Sequence, residues 1–320
     1  MCKKLSIILT GLILTGSAYA KTIDVNKYPH QTKDIVNKVE QKAESDFKTD
    51  MNQKKDFMLK QYADVKGALQ EFIQRIIIIN KVYPTAPKRV SEYLKDSKDG
   101  MLKKINNLEK QLQKFHGDKI VLNVQFEEKV FLGNLKAAKM LKMEIKKDIA
   151  LNNFVPARIN MNIFADEIDE HIYFATKQNI LKYLKQLKEL AKKGDAYKFL
   201  VVAADLINSI NQQLIIYPYP LIKTAALIDA VQQMIEHKKV DKEKALNLLR
   251  EAQYQIELAE VFGYLPYHSS VKVKLEHKIK ELKDAINKNQ NGVSLISKIK
   301  ELFEKLKESS NKKINTERNK

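Results

Sequence analysis

The sequence predicts an all-α fold, an irregular bundle of stacked helical hairpins, with one short extended or β segment near residues 119–132 as its exception. Three observations carry this reading. The stretch from Asp34 to Asn80 has no proline, a single glycine and a steady supply of strong helix formers. Residues 212–266 read as two antiparallel helices joined by a polar turn. A third signal is a phrase built from a helix end, a short polar turn and a second helix rich in Ala, Leu and Ile. It starts at Ile149, Leu190 and Ile235, at offsets of 41 and 45 residues, near the length of helix-hairpin repeats. Each such unit leaves an apolar face for its neighbour to cover, so stacked units share a core.

Residues 1–20, MCKKLSIILTGLILTGSAYA, begin with Lys3 and Lys4, continue in an apolar run from Leu5 to Leu14 and end in Ala18-Tyr19-Ala20. This is the pattern of a signal peptide cut after Ala20, which predicts a periplasmic or secreted protein. The apolar run is short of the roughly 20 residues that span a bilayer. Residues 21–118 form an N-terminal helical region. A loose lead-in, Lys21–Lys33, precedes one long helix or two in line, with Ile35, Val39, Ala43, Phe47 and Met51 along one stripe. Pro84 and Pro87 then make a turn, a short helix covers Lys88–Leu94, and another covers Leu102–Phe115 until Gly117-Asp118 stops it.

In residues 119–132, Leu122, Val124 and Phe126 alternate with Asn123 and Gln125, a half-buried strand pattern. A lone strand needs an edge, supplied by an unrecognised short strand or by a second copy of the chain. An extended arm packed on helices fits the pattern equally.

Residues 119–286 are expected to form a helical-hairpin domain. In its central hairpin, Pro220 sits in the first turn of a helix where a missing N–H costs nothing. Leu221, Ala225, Ile228, Val231 and Ile235 follow at helical spacing. After His237-Lys238-Lys239, Asp241 is a natural N-cap for a second helix. Its seam is Ala245, Leu249, Ala252, Ile256 and Ala259, mostly small residues that let a neighbour approach closely. Gly263 stops it as an αL residue does, and Pro266 blocks resumption. The phrase IIYPYPLIKTAALIDA, followed by KALNLLREAQYQIELAEVFGYLP, resembles the C-terminal signature of the YfdX family, with a Pro-x-Pro entry to one helix and an E-A-x-Y-Q ending on the next. The resemblance is close over residues 245–264 and extends over about 119–285. It implies an exported, helical bacterial protein linked to stress responses, with no established catalysis or cofactor. Beyond it, residues 287–308 are read as a linker and a C-terminal helix marked by Leu295, Ile296, Ile299, Leu302, Phe303 and Leu306, and residues 309–320 as a disordered tail.

Composition narrows the function. The chain carries 57 basic and 39 acidic residues; without Lys3 and Lys4 the mature net charge is +16. Only five of the basic residues are arginine, and the lysines alternate with acids, the pattern of solvated helix faces and not of a nucleic-acid surface. The seven glycines of the mature chain lie too far apart for a phosphate-binding loop. The six histidines show no metal-binding spacing, the mature chain has no cysteine, and no cofactor, metal site or catalytic residue is expected. Asp166-Glu167-Ile168-Asp169-Glu170-His171 is the densest acidic run. On a helix its acids point in different directions, which predicts a solvated face.

The remaining candidate surface is aromatic. Tyr217, Tyr219, Tyr254, Phe262 and Tyr264 frame the central hairpin together with Tyr267, and Arg250 is the one arginine nearby. They either pack in the core or line an apolar groove with hydroxyls at its rim. The expected function is non-enzymatic binding of envelope proteins or unfolded chains, with peripheral membrane contact and self-association as further partner classes. The alternative is a small ligand held in the aromatic groove.

Overall fold

The computed structural model describes residues 30–82, 85, 88–89, 98–237, 241–266, 269–290 and 292–318. The leader-like segment, the Pro84 and Pro87 turn, most of the Lys88–Leu94 helix and Tyr267 lie outside the described residues. Helices predominate. They are α1 (His30–Gln61), α2 (Ala63–Val82), α3 (Lys98–Lys114), α4 (Leu135–Ala150), α5 (Phe154–Ile163), α6 (Lys177–Lys193), α7 (Ala196–Asn208), α8 (Tyr219–Glu236), α9 (Lys242–Phe262), α10 (Ser270–Asn287) and α11 (Val293–Arg318). Three strands, β1 (Lys119–Lys129), β2 (Glu167–Thr176) and β3 (Asn211–Pro218), form one antiparallel sheet in the order β1-β2-β3.

The mostly helical character matches the sequence reading, and the segment at 119–132 is a strand. Its partners correct the reading of the repeat. The phrases from Ile149 and Leu190 do open with a helix end, a turn and a second helix, but each then runs into a strand, so that a helical hairpin joins each pair of adjacent strands. Only the third, from Ile235, stays helical to Phe262. The distinction is local: α5 and α7 are short, and after each the chain carries β-branched and aromatic residues, IYFAT and LIIYP, that favour a pleated backbone. The acidic run at 167–171 therefore lies on the central strand of a sheet, with Asp166 just before it, and not on a solvated helix.

Helix ends follow the residues that were expected to make them. Pro218 caps α8 with φ −65° and Pro220 occupies its first turn. The Asp241 carboxylate accepts from the Lys244 N–H at the start of α9, and Gly263 ends it at φ +87°. Gly194 ends α6 in the same left-handed conformation.

Two large apolar cores flank the sheet. One gathers α2, α3, α6 and α7 around Leu69, Ile105, Leu184 and Phe199. The other gathers α8 to α11 around Val231, Ile256, Ile279 and Ile299, and receives Ile216 from β3. The α9 seam of Ala245, Leu249, Ala252, Ile256 and Ala259 is fully buried there. Ile296, Ile299, Phe303 and Leu306 dock α11 on this core. Its backbone stays helical to Arg318, through the stretch expected as a tail, and no proline or glycine after Gly292 interrupts it. Helix α1 spans the molecule, with Ile35, Val36 and Val39 against the second core and Met58 and Leu59 against Val121, Val124 and Ile172 of the sheet.

Candidate functional site

On β2 successive side chains alternate between faces, so Glu167, Asp169 and His171 share one face and Ile168, Glu170 and Ile172 the other. Because β1 and β3 pair on both sides of β2, and helices cover it, the acids are enclosed: Asp166, Glu167, Asp169 and Glu170 are all buried. Burying a carboxylate is tolerable only with a partner. Lysines supply it.

On the α1 face, Lys54 Nζ donates to Glu170 Oε2 at 2.8 Å, and the Tyr217 hydroxyl donates to the same oxygen at 2.8 Å. Burial works against the Lys54 charge, but its bonds to Glu170 and Tyr217 outweigh that and raise its pKa. Beside it, Glu128 accepts from Lys48 at 2.8 Å and from the Tyr219 hydroxyl at 2.6 Å. Desolvation is opposed by these two bonds, which hold the Glu128 carboxyl below its ordinary range. On the other face, Lys129 bridges Glu167 at 3.1 Å and Asp169 at 2.5 Å. Burial, and then the Asp169 charge, raise the pKa of Glu167.

A second group lies where α1, α8 and α9 meet. Lys223 pairs with Glu44 at 3.0 Å and feels the charges of Asp166 and Glu40. Gln255 Nε2 donates to Glu40 and to Glu251. Burial, and next the neighbouring Glu251 charge, push the Glu40 carboxyl up to about 7. Burial likewise pushes Asp166 up to about 6 and raises Glu251. Around the sheet, eight carboxylates thus meet four lysines inside a strongly basic chain.

The aromatic residues singled out in the sequence divide. Tyr217 and Tyr219 belong to the acidic network on the α1 face. Tyr264 is buried beside it, where its hydroxyl accepts from the Asp166 N–H at 3.0 Å and bonds the Glu167 carboxylate. Phe262 stacks with Phe131, Phe164 and Tyr264. The Tyr254 hydroxyl accepts from the Leu135 N–H at 2.9 Å, tying α9 to the start of α4. Arg250 is exposed and donates to Asn247 at 2.6 Å, not to Glu251 or Glu257. These residues support the sheet and α4; they do not converge on one groove. An apolar groove of about 780 Å³ does exist elsewhere, between α6 and α7, lined by Leu190, Tyr197, Val201 and Val202 with lysines at its edge.

Sequence reasoning missed Glu127, which lies directly across from Asp169 in the β1–β2 register. Glu127, Asp169 and His171 each bring a ligand-type atom within 4.8 Å of the others. The available signal was period-two alternation in both QFEEK and EIDEHIYF. It missed a surface as well. Of the large apolar side chains exposed among the described residues, Val130, Leu132 and nine on α4, α5 and their turn fall within residues 130–163. Only Ala157 of the ten residues of α5 is buried. No described helix is long and apolar enough to cross a membrane. No protein-family model, curated protein or solved structure matches this chain.

Proposed function

We propose that this protein is a non-enzymatic binding protein that holds apolar segments of other polypeptides, unfolded or folded, on its α4–α5 hairpin. The observation that carries this reading is the exposure of that hairpin: Leu151 is 58% exposed, Phe154 62%, Val155 73% and Ile159 59%. Burying such a side chain gains roughly 1.5–3 kcal/mol, and apolar surface concentrated this way marks an interaction site. Met140, Met143 and Met161 add flexible, polarizable contacts, as surfaces that accept varied partners do.

The distribution around α5 favours a polypeptide over a flat lipid surface. At about 100° per residue, Phe154 and Met161 form one stripe, and Val155, Ile159 and Ile163 another. Arg158 and Asn162 lie between them. A planar membrane touching both stripes would have to take in Arg158, whereas a polypeptide can contact each stripe and leave the guanidinium in water. The leader-like residues 1–20 and the YfdX-like phrase support placing the protein in the periplasm, with a role in envelope stress.

The test is light scattering of a heat-denatured model enzyme with the full chain and with a Phe154→Ser, Val155→Ser, Ile159→Ser variant. All three side chains are exposed, so the variant should keep the wild-type circular dichroism. Wild-type protein should suppress aggregation and the variant should not. Equal behaviour of the two overturns the proposal. So does sedimentation with anionic phospholipid vesicles but not with client, or a dimer that the substitutions dissolve.

A further inference from the structure

Strand pairing creates a group of side chains that the linear sequence does not show. Glu127 and Asp169 are direct cross-strand partners, and His171 lies two residues along β2 on the same face. His171 Nε2 is 3.5 Å from Glu127 Oε2, and one ligand-type atom from each of the three residues falls within 4.8 Å of the others. Small side-chain rotations bring such a set to the spacing of ligands around one ion. The environment is graded: the Asp169 side chain is 3% exposed, His171 19% and Glu127 61%. An ion would enter from the Glu127 side and keep water on its open positions.

A second, independent feature points to a cation. Asp169 Oδ2 is held by Lys129 at 2.5 Å, but Asp169 Oδ1 is buried with no hydrogen-bond partner among the described residues. A buried carboxylate oxygen left unanswered is unfavourable, and a coordinated cation answers it. The orientation of the imidazole is also set. The Gln212 side-chain amide lies 2.7 Å from His171 Nδ1, which leaves Nε2 directed at Glu127. A half-turn of that amide, which interchanges its nitrogen and oxygen, lets Nδ1–H donate to Gln212 and presents the Nε2 lone pair.

We propose that Glu127, Asp169 and His171 form a binding site for a divalent transition ion, with Gln212 as the positioning residue for the imidazole. One imidazole nitrogen and two carboxylate oxygens suit Zn²⁺ or Mn²⁺ and leave open coordination positions. The Lys129 ammonium beside Asp169 opposes the ion, so the site favours ions that gain from the imidazole over Ca²⁺ or Mg²⁺. This inference is separate from polypeptide binding on α4–α5 and stands or falls without it.

The experiment is calorimetric titration of the untagged, chelator-treated full chain with Zn²⁺ and with Mn²⁺, repeated on Glu127→Gln and His171→Ala. Glu127 is an exposed side chain on the edge strand β1 and His171 is a partly exposed one on the central strand β2, and neither belongs to an apolar core, so circular dichroism should be unchanged. Expected are one ion per chain and an affinity loss of at least about tenfold in each variant, with Gln212→Leu losing about 10–100-fold. Nitrogen-15 spectra of the imidazoles should show the His171 Nε2 signal moving as Zn²⁺ is added. Absence of saturable one-to-one binding overturns the proposal, as does binding that both variants retain or an unmoved His171 resonance.

Discussion

Replacing Glu40 by glutamine should stabilise the protein at pH 8 and make little difference at pH 4. The Glu40 carboxyl is pushed from 4.5 to about 7, mainly by burial and then by the Glu251 charge. A group whose pKa is raised on folding binds its proton more tightly in the folded state. Its contribution is fully present below pH 4.5 and is lost as pH rises through about 7. A shift of that size corresponds to about 3 kcal/mol. The local geometry agrees, because Gln255 Nε2 already donates to Glu40 while Gln255 Oε1 is buried with no hydrogen-bond partner among the described residues. A protonated Glu40, or a glutamine in its place, has a hydrogen to offer that oxygen; an ionised Glu40 has none. Urea unfolding of wild type and Glu40→Gln, followed by circular dichroism from pH 4 to 8.5, measures the difference directly. It should grow by about 3 kcal/mol across that range, a midpoint shift of about 1 M urea or more at pH 8. A difference that does not change with pH, or that changes in the opposite sense, refutes the reasoning.

Four further outcomes rest on the packing. Lys54→Met leaves the fully buried Glu170 carboxylate with only the Tyr217 hydroxyl, and should cost about 2–4 kcal/mol in urea unfolding at pH 7. Adding Glu170→Gln to Lys54→Met should recover much of that loss in the same assay. Ile256→Ala opens a cavity in the α9 seam, where Ile256 is fully buried, and should cost about 2–5 kcal/mol. Gly263→Ala meets no neighbouring atom but must hold φ +87°, so a loss of about 1–2 kcal/mol without any change in the folded circular dichroism is expected.

The acidic run shows why part of the candidate site was hidden in the sequence. Nothing within five residues of Glu170 reveals that it is buried: its lysine lies 116 residues earlier in α1 and its tyrosine 47 residues later in β3. Read on a helix, Asp169 and His171 diverge; on a strand they share a face and Glu127 joins them. Likewise, lysines interleaved with acids suggested solvated helix faces. Lys223 and Lys129 instead turn inward, because three strands and α1 bring carboxylates to them. The tyrosines were singled out as a set, but their hydroxyls serve the sheet and α4 and do not form the rim of a single groove.

What the amino-acid order determined by itself was local. The Pro220 entry to α8, the Asp241 cap, the αL stop at Gly263 and the extended pattern near 119–129 depend on residues a few positions apart. Their backbone preferences and capping bonds act over one or two turns. Tertiary structure decided which apolar surfaces stayed open and which carboxylates were enclosed. α5 and the central hairpin look equally apolar along the chain, yet only the hairpin is covered, because α10, α11 and α1 close over it while α5 packs chiefly on α4. Burial and pairing depend on segments from 38 to 215 residues apart, and that long-range geometry both enclosed the acids of β2 and left the α4–α5 hairpin exposed.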